Sequence, residues 1–109
     1  RAREFGQWVR ETFSNPIKKA SGTEEVLEMS LDSPRKISHI ILMEDIKHGE
    51  RVRDYVLDYK KAGKWVELVR GSAIGHKKID RFEPIITDHV RLRVLEAADR
   101  PIIREFALI

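Results

Sequence analysis

Between Glu44 and Phe82 the apolar residues fall into short runs, each stopped by a polar or glycine-containing break. Val52, Tyr55, Leu57 and Tyr59 form one run, Ala62-Gly63 ends it, Trp65 to Val69 resumes it, and Gly71 to Gly75 ends it again before Ile79 and Phe82. The spacing predicts strand, polar turn, strand, glycine turn, strand, glycine turn, strand. Breaks this short leave no room for crossovers, so the strands run antiparallel. Outside this stretch, Leu27, Met29 and Leu31 alternate with Glu28 and Ser30, and Val90, Leu92 and Val94 alternate with Arg91, Arg93 and Leu95. A period of two marks strands with one face buried. Leu92 is then a core residue and Arg91 faces solvent. Ile37 to Met43 is apolar on both faces after Ser38, as in a central strand. Asp32-Ser33-Pro34 reads as a turn, Ser21-Gly22-Thr23 as a loop, and Ile102, Phe106 and Leu108 share one face of a last strand.

The beginning of the chain has a different period. Phe5, Trp8, Val9, Thr12 and Phe13 recur at the spacing of one helical face, which predicts a helix from about Arg3 to Phe13. Ser14-Asn15-Pro16 ends it, because the residue before a proline is pushed out of the helical region. The expected fold class is therefore all-β: an antiparallel jelly-roll β-sandwich of about seven or eight strands, preceded by one short N-terminal α-helix. Residues 1–16 are the linker helix and residues 17–109 the sandwich domain. At 109 residues the chain supports one core and no second domain.

Composition narrows the chemistry. The chain has 41% hydrophobic and 36% charged residues, as in a well-solvated globular domain. The net charge of +3 is spread along the sequence, whereas nucleic-acid binders gather basic residues on one face. Lys77, Lys78 and Arg81 form the largest basic group, too small for that footprint and suited to a solvated strand edge. There is no cysteine, so disulfides and thiol chemistry are excluded. No apolar run reaches the roughly 20 residues of a membrane-spanning helix. His39, His48, His76 and His89 are dispersed and lack the short spacings of zinc ligands. No metal and no cofactor is assigned.

Glycoside hydrolysis with retention needs two carboxyl groups about 5–5.5 Å apart. Glu24-Glu25 and Glu44-Asp45 are sequence neighbours, which point to opposite faces of a strand. Asp54 and Asp58 share a face but stand roughly 13 Å apart. These read as surface carboxylates, and no catalytic residue is assigned. Trp65, Tyr55 and Tyr59 are the aromatics that could stack on a sugar, yet their mid-strand positions suit the core. Glu44 and Arg51 flank the turn at residues 46–49 and are expected to pair across it.

The same stretch carries a family resemblance. EDI-x-x-GERV from Glu44, Tyr55-x-Leu57, Gly63-x-Trp65-x-x-Leu68 and G-x-x-IG-x-K-x-I-x-RF from Gly71 resemble the C-terminal β-sandwich domain of bacterial α-L-fucosidases. That domain is similar to the discoidin, or coagulation-factor C-type, galactose-binding-like fold. VRLRVLEA from Val90, PIIREFAL from Pro101 and EFGQW from Glu4 extend the resemblance over most of the chain. It implies a non-catalytic accessory domain that braces an upstream catalytic barrel of the same polypeptide, in an extracytoplasmic enzyme. It leaves open contact with fucose- or galactose-containing glycans, and an independent discoidin-class glycan- or protein-binding module is the alternative. The family's longer insertion before the strand at Leu27, of the D-G-D-x-x-T-x-W kind, is replaced here by Ile17 to Glu25. No carbohydrate-binding residue is assigned, and calcium binding stays open.

Overall fold

The computed structural model describes residues 17–47 and 49–109, so the helix expected over Arg3–Phe13 lies outside it, as does His48. Six strands are formed: β1 (Lys18–Gly22), β2 (Val26–Glu44), β3 (Val52–Lys61), β4 (Lys64–Gly71), β5 (Lys78–Ala97) and β6 (Ile103–Leu108). They make one antiparallel sheet in the order β1-β6-β2-β5-β3-β4. No helix occurs among the described residues.

The count differs from the expected seven or eight for two reasons. Asp32-Ser33-Pro34 does not end a strand: β2 runs through it, and the ladder steps from Ser30–His89 to Arg35–Thr87, so extra residues of β2 bulge against β5. The runs around Ile79–Phe82 and Val90–Leu95 likewise belong to one strand, β5. In the other direction, the stretch leading into the expected Ser21-Gly22-Thr23 loop, to which the sequence pattern assigns no strand, forms β1, which pairs with β6 from Lys18–Leu108 to Gly22–Ile103. Two mergers and one addition turn seven predicted runs into six strands. The central position of Ile37–Met43 holds, with β6 on one side and β5 on the other.

The long strands β2 and β5 organise the molecule. Tyr55 of β3 stands opposite Val94 of β5, yet its hydroxyl bonds Asp80 on the same strand. Extended chain would put those two positions roughly 45 Å apart, so β5 turns back and brings its two ends face to face. The core fills the space enclosed: Ile37, Ile40 and Leu42 from β2, Tyr55 and Leu57 from β3, Val90, Leu92 and Val94 from β5, and Phe106 and Leu108 from β6. The period-two phase of β5 is therefore correct, with Leu92 fully buried and Leu95 outward and exposed.

The β3–β4 hairpin closes through Ala62-Gly63, both with positive φ (52° and 77°), between the paired Lys61 and Lys64. Left-handed backbone at both central residues matches the twist of the flanking strands. At the other end of that hairpin Gly71 pairs with Tyr55, and a Cβ there would meet the tyrosine ring and hydroxyl at 2.5–2.6 Å. Glycine is what lets β4 pass over the tyrosine.

Replacing Leu92 by alanine should cost about 2–5 kcal/mol, from lost burial and the cavity left behind. Urea denaturation of the variant measures it, and a midpoint equal to the parent's would mean that Leu92 is not in the core.

Candidate functional site

Three carboxylates are buried: Glu44 and Asp58, which read as surface groups, and Asp80. Each is saturated by protein donors. Glu44 ends β2 pointing inward; its Oε1 accepts the backbone N–H groups of Arg51 and Val52, both at 2.8 Å, and its Oε2 that of Gly75 at 3.1 Å. The expected Glu44–Arg51 pair thus exists through the main chain, not the guanidinium. The Arg51 Nη1 instead donates to the Arg100 carbonyl at 2.8 Å. One carboxylate ties together the chain after β2, the start of β3 and the β4–β5 connection.

Asp80 performs the corresponding task inside. Its Oδ2 accepts the Tyr55 hydroxyl at 2.7 Å and its Oδ1 the Lys78 ammonium at 2.8 Å. Burial, with the bond to and charge of Asp80, pushes the Tyr55 phenol far above its ordinary range, so it remains a neutral donor. Lys78 is therefore turned toward Tyr55 and Asp80, while Lys77 and Arg81 are exposed.

The outward face of β3, β4 and β5 carries the third group. Asp58 accepts Arg91 Nε at 2.7 Å and both Nε and Nη2 of Arg93. Burial raises the Asp58 carboxyl, but the bonds and charges of Arg93 and Arg91 outweigh it and hold the group below its ordinary value. The Arg91 guanidinium carbon stands 4.2 Å from the centre of the Trp65 ring and Lys60 Nζ 5.2 Å. Trp65 is thus not a core residue as its mid-strand position suggested: it is half-buried on the outside, under two cations. Arg91 does not simply face solvent. Tyr55 is in the core, and Tyr59 is packed partly against it.

These placements limit the chemistry available. Glu44 and Asp80 face inward and Asp58 outward, and every oxygen of the three already accepts a protein donor. No two form an open pair across a cleft. Among the described residues no group of His, Asp or Glu side chains could hold a metal ion. His39 Nδ1 lies 2.8 Å from Ser38 Oγ, and burial, then Arg81, lowers its pKa. His89 Nδ1 lies 2.7 Å from Asp88, and His76 is exposed. The concavities are open hollows. One of about 560 Å³ is lined by Thr23, Glu24, Glu25, Arg100 and Pro101. Another, of about 270 Å³, lies beside Tyr59, Pro84 and Ile86.

No family model and no curated protein matches the chain. Solved structures do. A protein from Bacteroides thetaiotaomicron, provisionally assigned as an α-L-fucosidase, is 36% identical with a TM-score of 0.93, over 96% of this chain and 24% of that one. A second provisional α-L-fucosidase, from Bacteroides ovatus, is 27% identical with a TM-score of 0.81, over 96% of this chain and 19% of that one. The chain spans about a quarter or less of these fucosidase chains. A chitosan-binding module from a chitosanase/glucanase of Paenibacillus sp. shares the fold alone, at 11% identity and a TM-score of 0.65 over 84% of this chain and 74% of that one.

The burial of these carboxylates escaped sequence reasoning because it depends on partners brought in from distant parts of the chain, Tyr55 for Asp80, Gly75 for Glu44, and Arg91 and Arg93 for Asp58. The one available signal was alternation: Arg91 and Arg93 both leave the outer face of β5, and a facing acid on β3 would satisfy both.

Replacing Glu44 by glutamine should destabilise the fold by about 2–3 kcal/mol, because an amide presents N–H to a backbone N–H and loses the charge of the acceptor. Urea melts against exposed Glu24→Gln, expected within about 0.5 kcal/mol of the parent, provide the comparison.

Asp58 makes stability depend on acid. Its folded pKa is below the ordinary 3.8, so its contribution is fully present above that value and is lost as pH falls through the folded value. Unfolding free energy measured from pH 6 to pH 2 should therefore fall more steeply for the parent than for Asp58→Asn. Parallel curves would remove Asp58 as the cause.

Proposed function

We propose that this chain is a non-catalytic accessory domain of an α-L-fucosidase-like glycoside hydrolase, bracing a catalytic barrel that precedes it in the same polypeptide. The observation that carries this reading is the 36% identity and TM-score of 0.93 over nearly the whole chain against one quarter of a provisional fucosidase. The saturated carboxylates support it: the described residues present no close acid pair from which water could be excluded. We read the folded sheet as the two layers of a discoidin-like sandwich. Residues 1–16 are proposed as the linker helix to the barrel and residues 17–109 as the sandwich domain. An extracytoplasmic setting accords with this reading. The alternative is an independent discoidin-class glycan- or protein-binding module, and the fold shared with the chitosan-binding module supports its glycan form.

The chain alone should show no turnover of an aryl α-L-fucoside. Turnover that persisted through repurification and vanished on mutating one of its own carboxylates would overturn the accessory reading. Titration with fucose, galactose and a fucosylated oligosaccharide, with and without calcium, should give at best millimolar affinity, about 4 kcal/mol. Micromolar binding would favour the free module.

A further inference from the structure

Near its turn, the β3–β4 hairpin carries two like charges on its inner face. Lys61 stands opposite Lys64 and Tyr59 opposite Val66, and alternation puts all four on the side of the sheet away from Lys60 and Trp65. Lysines directly opposite one another repel, and neither forms an ion pair or hydrogen bond among the described residues. The acids of the adjoining strands are engaged elsewhere: Asp58 with Arg91 and Arg93 on the outer face, and Asp88 with His89 Nδ1 at 2.7 Å. Glu83 of β5 is exposed and pairs with neither lysine. Lys36 of β2, opposite Ile86, adds a third exposed cation.

The wall that faces the lysines is apolar. Pro84, Ile85 and Ile86 of β5 border the hollow of about 270 Å³ that Tyr59 and Lys61 line from β3. The buried Thr87 hydroxyl donates to the Lys60 carbonyl at 2.8 Å, which fixes this limb of β5 against the hairpin. Ile86 is nonetheless 72% exposed and Val66 37%. The Tyr59 hydroxyl has no protein partner among the described residues. Apolar carbon, an unengaged hydroxyl and ammonium groups without a counter-charge therefore meet in one small hollow.

Each of these features selects a property of the occupant. The lysine pair calls for an anion, which removes the repulsion between them. Val66, Pro84 and Ile86 call for a ring with a C–H face, and the Tyr59 hydroxyl calls for a polar substituent on that ring. A flat nucleobase would need an open aromatic face on which to stack, whereas Tyr59 is half-buried and packed partly against the core. We propose that the hollow takes one acidic pyranose, a hexuronate or a sugar sulfate, with its anion at Lys61 and Lys64 and its C–H face on Pro84 and Ile86. The site goes beyond the bracing role and does not rest on it. Failure of acidic sugars to bind leaves the accessory reading standing, and fucosidase turnover by the chain leaves this site untouched.

The test is an amide-shift titration of the whole nitrogen-labelled chain with galacturonate, sulfated galactose, galactose, inorganic sulfate and adenosine monophosphate. Shifts should saturate and concentrate at residues 59–66 and 84–87. The acidic sugars should bind about tenfold more tightly than galactose, the worth of one charge-assisted hydrogen bond, and the tighter of the two identifies the anion. Lys64→Gln should bring them down to the level of galactose, and Ile86→Ser should weaken all three sugars. Lys19→Gln, on β1 at the far edge of the sheet, should change nothing. Lys64 and Ile86 are exposed, so loss of the fold does not imitate these effects. The absence of a saturable shift with either acidic sugar would overturn the proposal. So would an equal response to inorganic sulfate, which would leave an adventitious ion only, tighter binding of adenosine monophosphate, or shifts spread evenly over the lysines of the chain.

Discussion

The hydrogen bond from Tyr55 to Asp80 is the point on which the fold turns. It joins β3 to a part of β5 far along the strand from where the two are paired, so it forms only when β5 has turned back on itself. A buried phenol and a buried carboxylate are each costly without a partner, and here each is the other's partner, with Lys78 completing the set. Gly71 belongs to the same constraint, because any side chain there would displace the tyrosine ring. The sheet is thus held folded by a directional polar contact placed within a non-directional apolar core.

Glu44 and Asp58 extend the same logic to the periphery. Glu44 gathers backbone donors from two connections that the ladder leaves unpaired, which replaces main-chain pairing where strands stop. Asp58 holds two arginines flat on the outer face and so positions one of them over Trp65. Groups that resemble candidate catalytic acids are consumed in holding strands together.

Much of the fold was legible because strand alternation is local. The phase of Val90, Leu92 and Val94, the central character of Ile37–Met43 and the break at Ala62-Gly63 follow from neighbouring residues alone. What failed was non-local. Asp32-Ser33-Pro34 has the composition of a turn, and only the pairing of β2 with β5 on both sides of it makes it a bulge. β1 has few apolar residues and exists because β6 offers an open edge. Trp65 has the neighbours of a core residue, but the arginine that covers it comes from β5, twenty-six residues away at Arg91. Burial of the carboxylates depends on the same unseen registers.

The pairing of β1 with β6 has a consequence for how the protein is made. Lys18 finds its partner in Leu108, so the strand synthesised first among the six is completed by the strand synthesised last. Closing so long a loop precedes any reward from the contact. As the chain leaves a ribosome, β1 waits with both edges unpaired while β2 to β5 assemble. Its shortness and its two lysines keep that waiting strand from recruiting another chain.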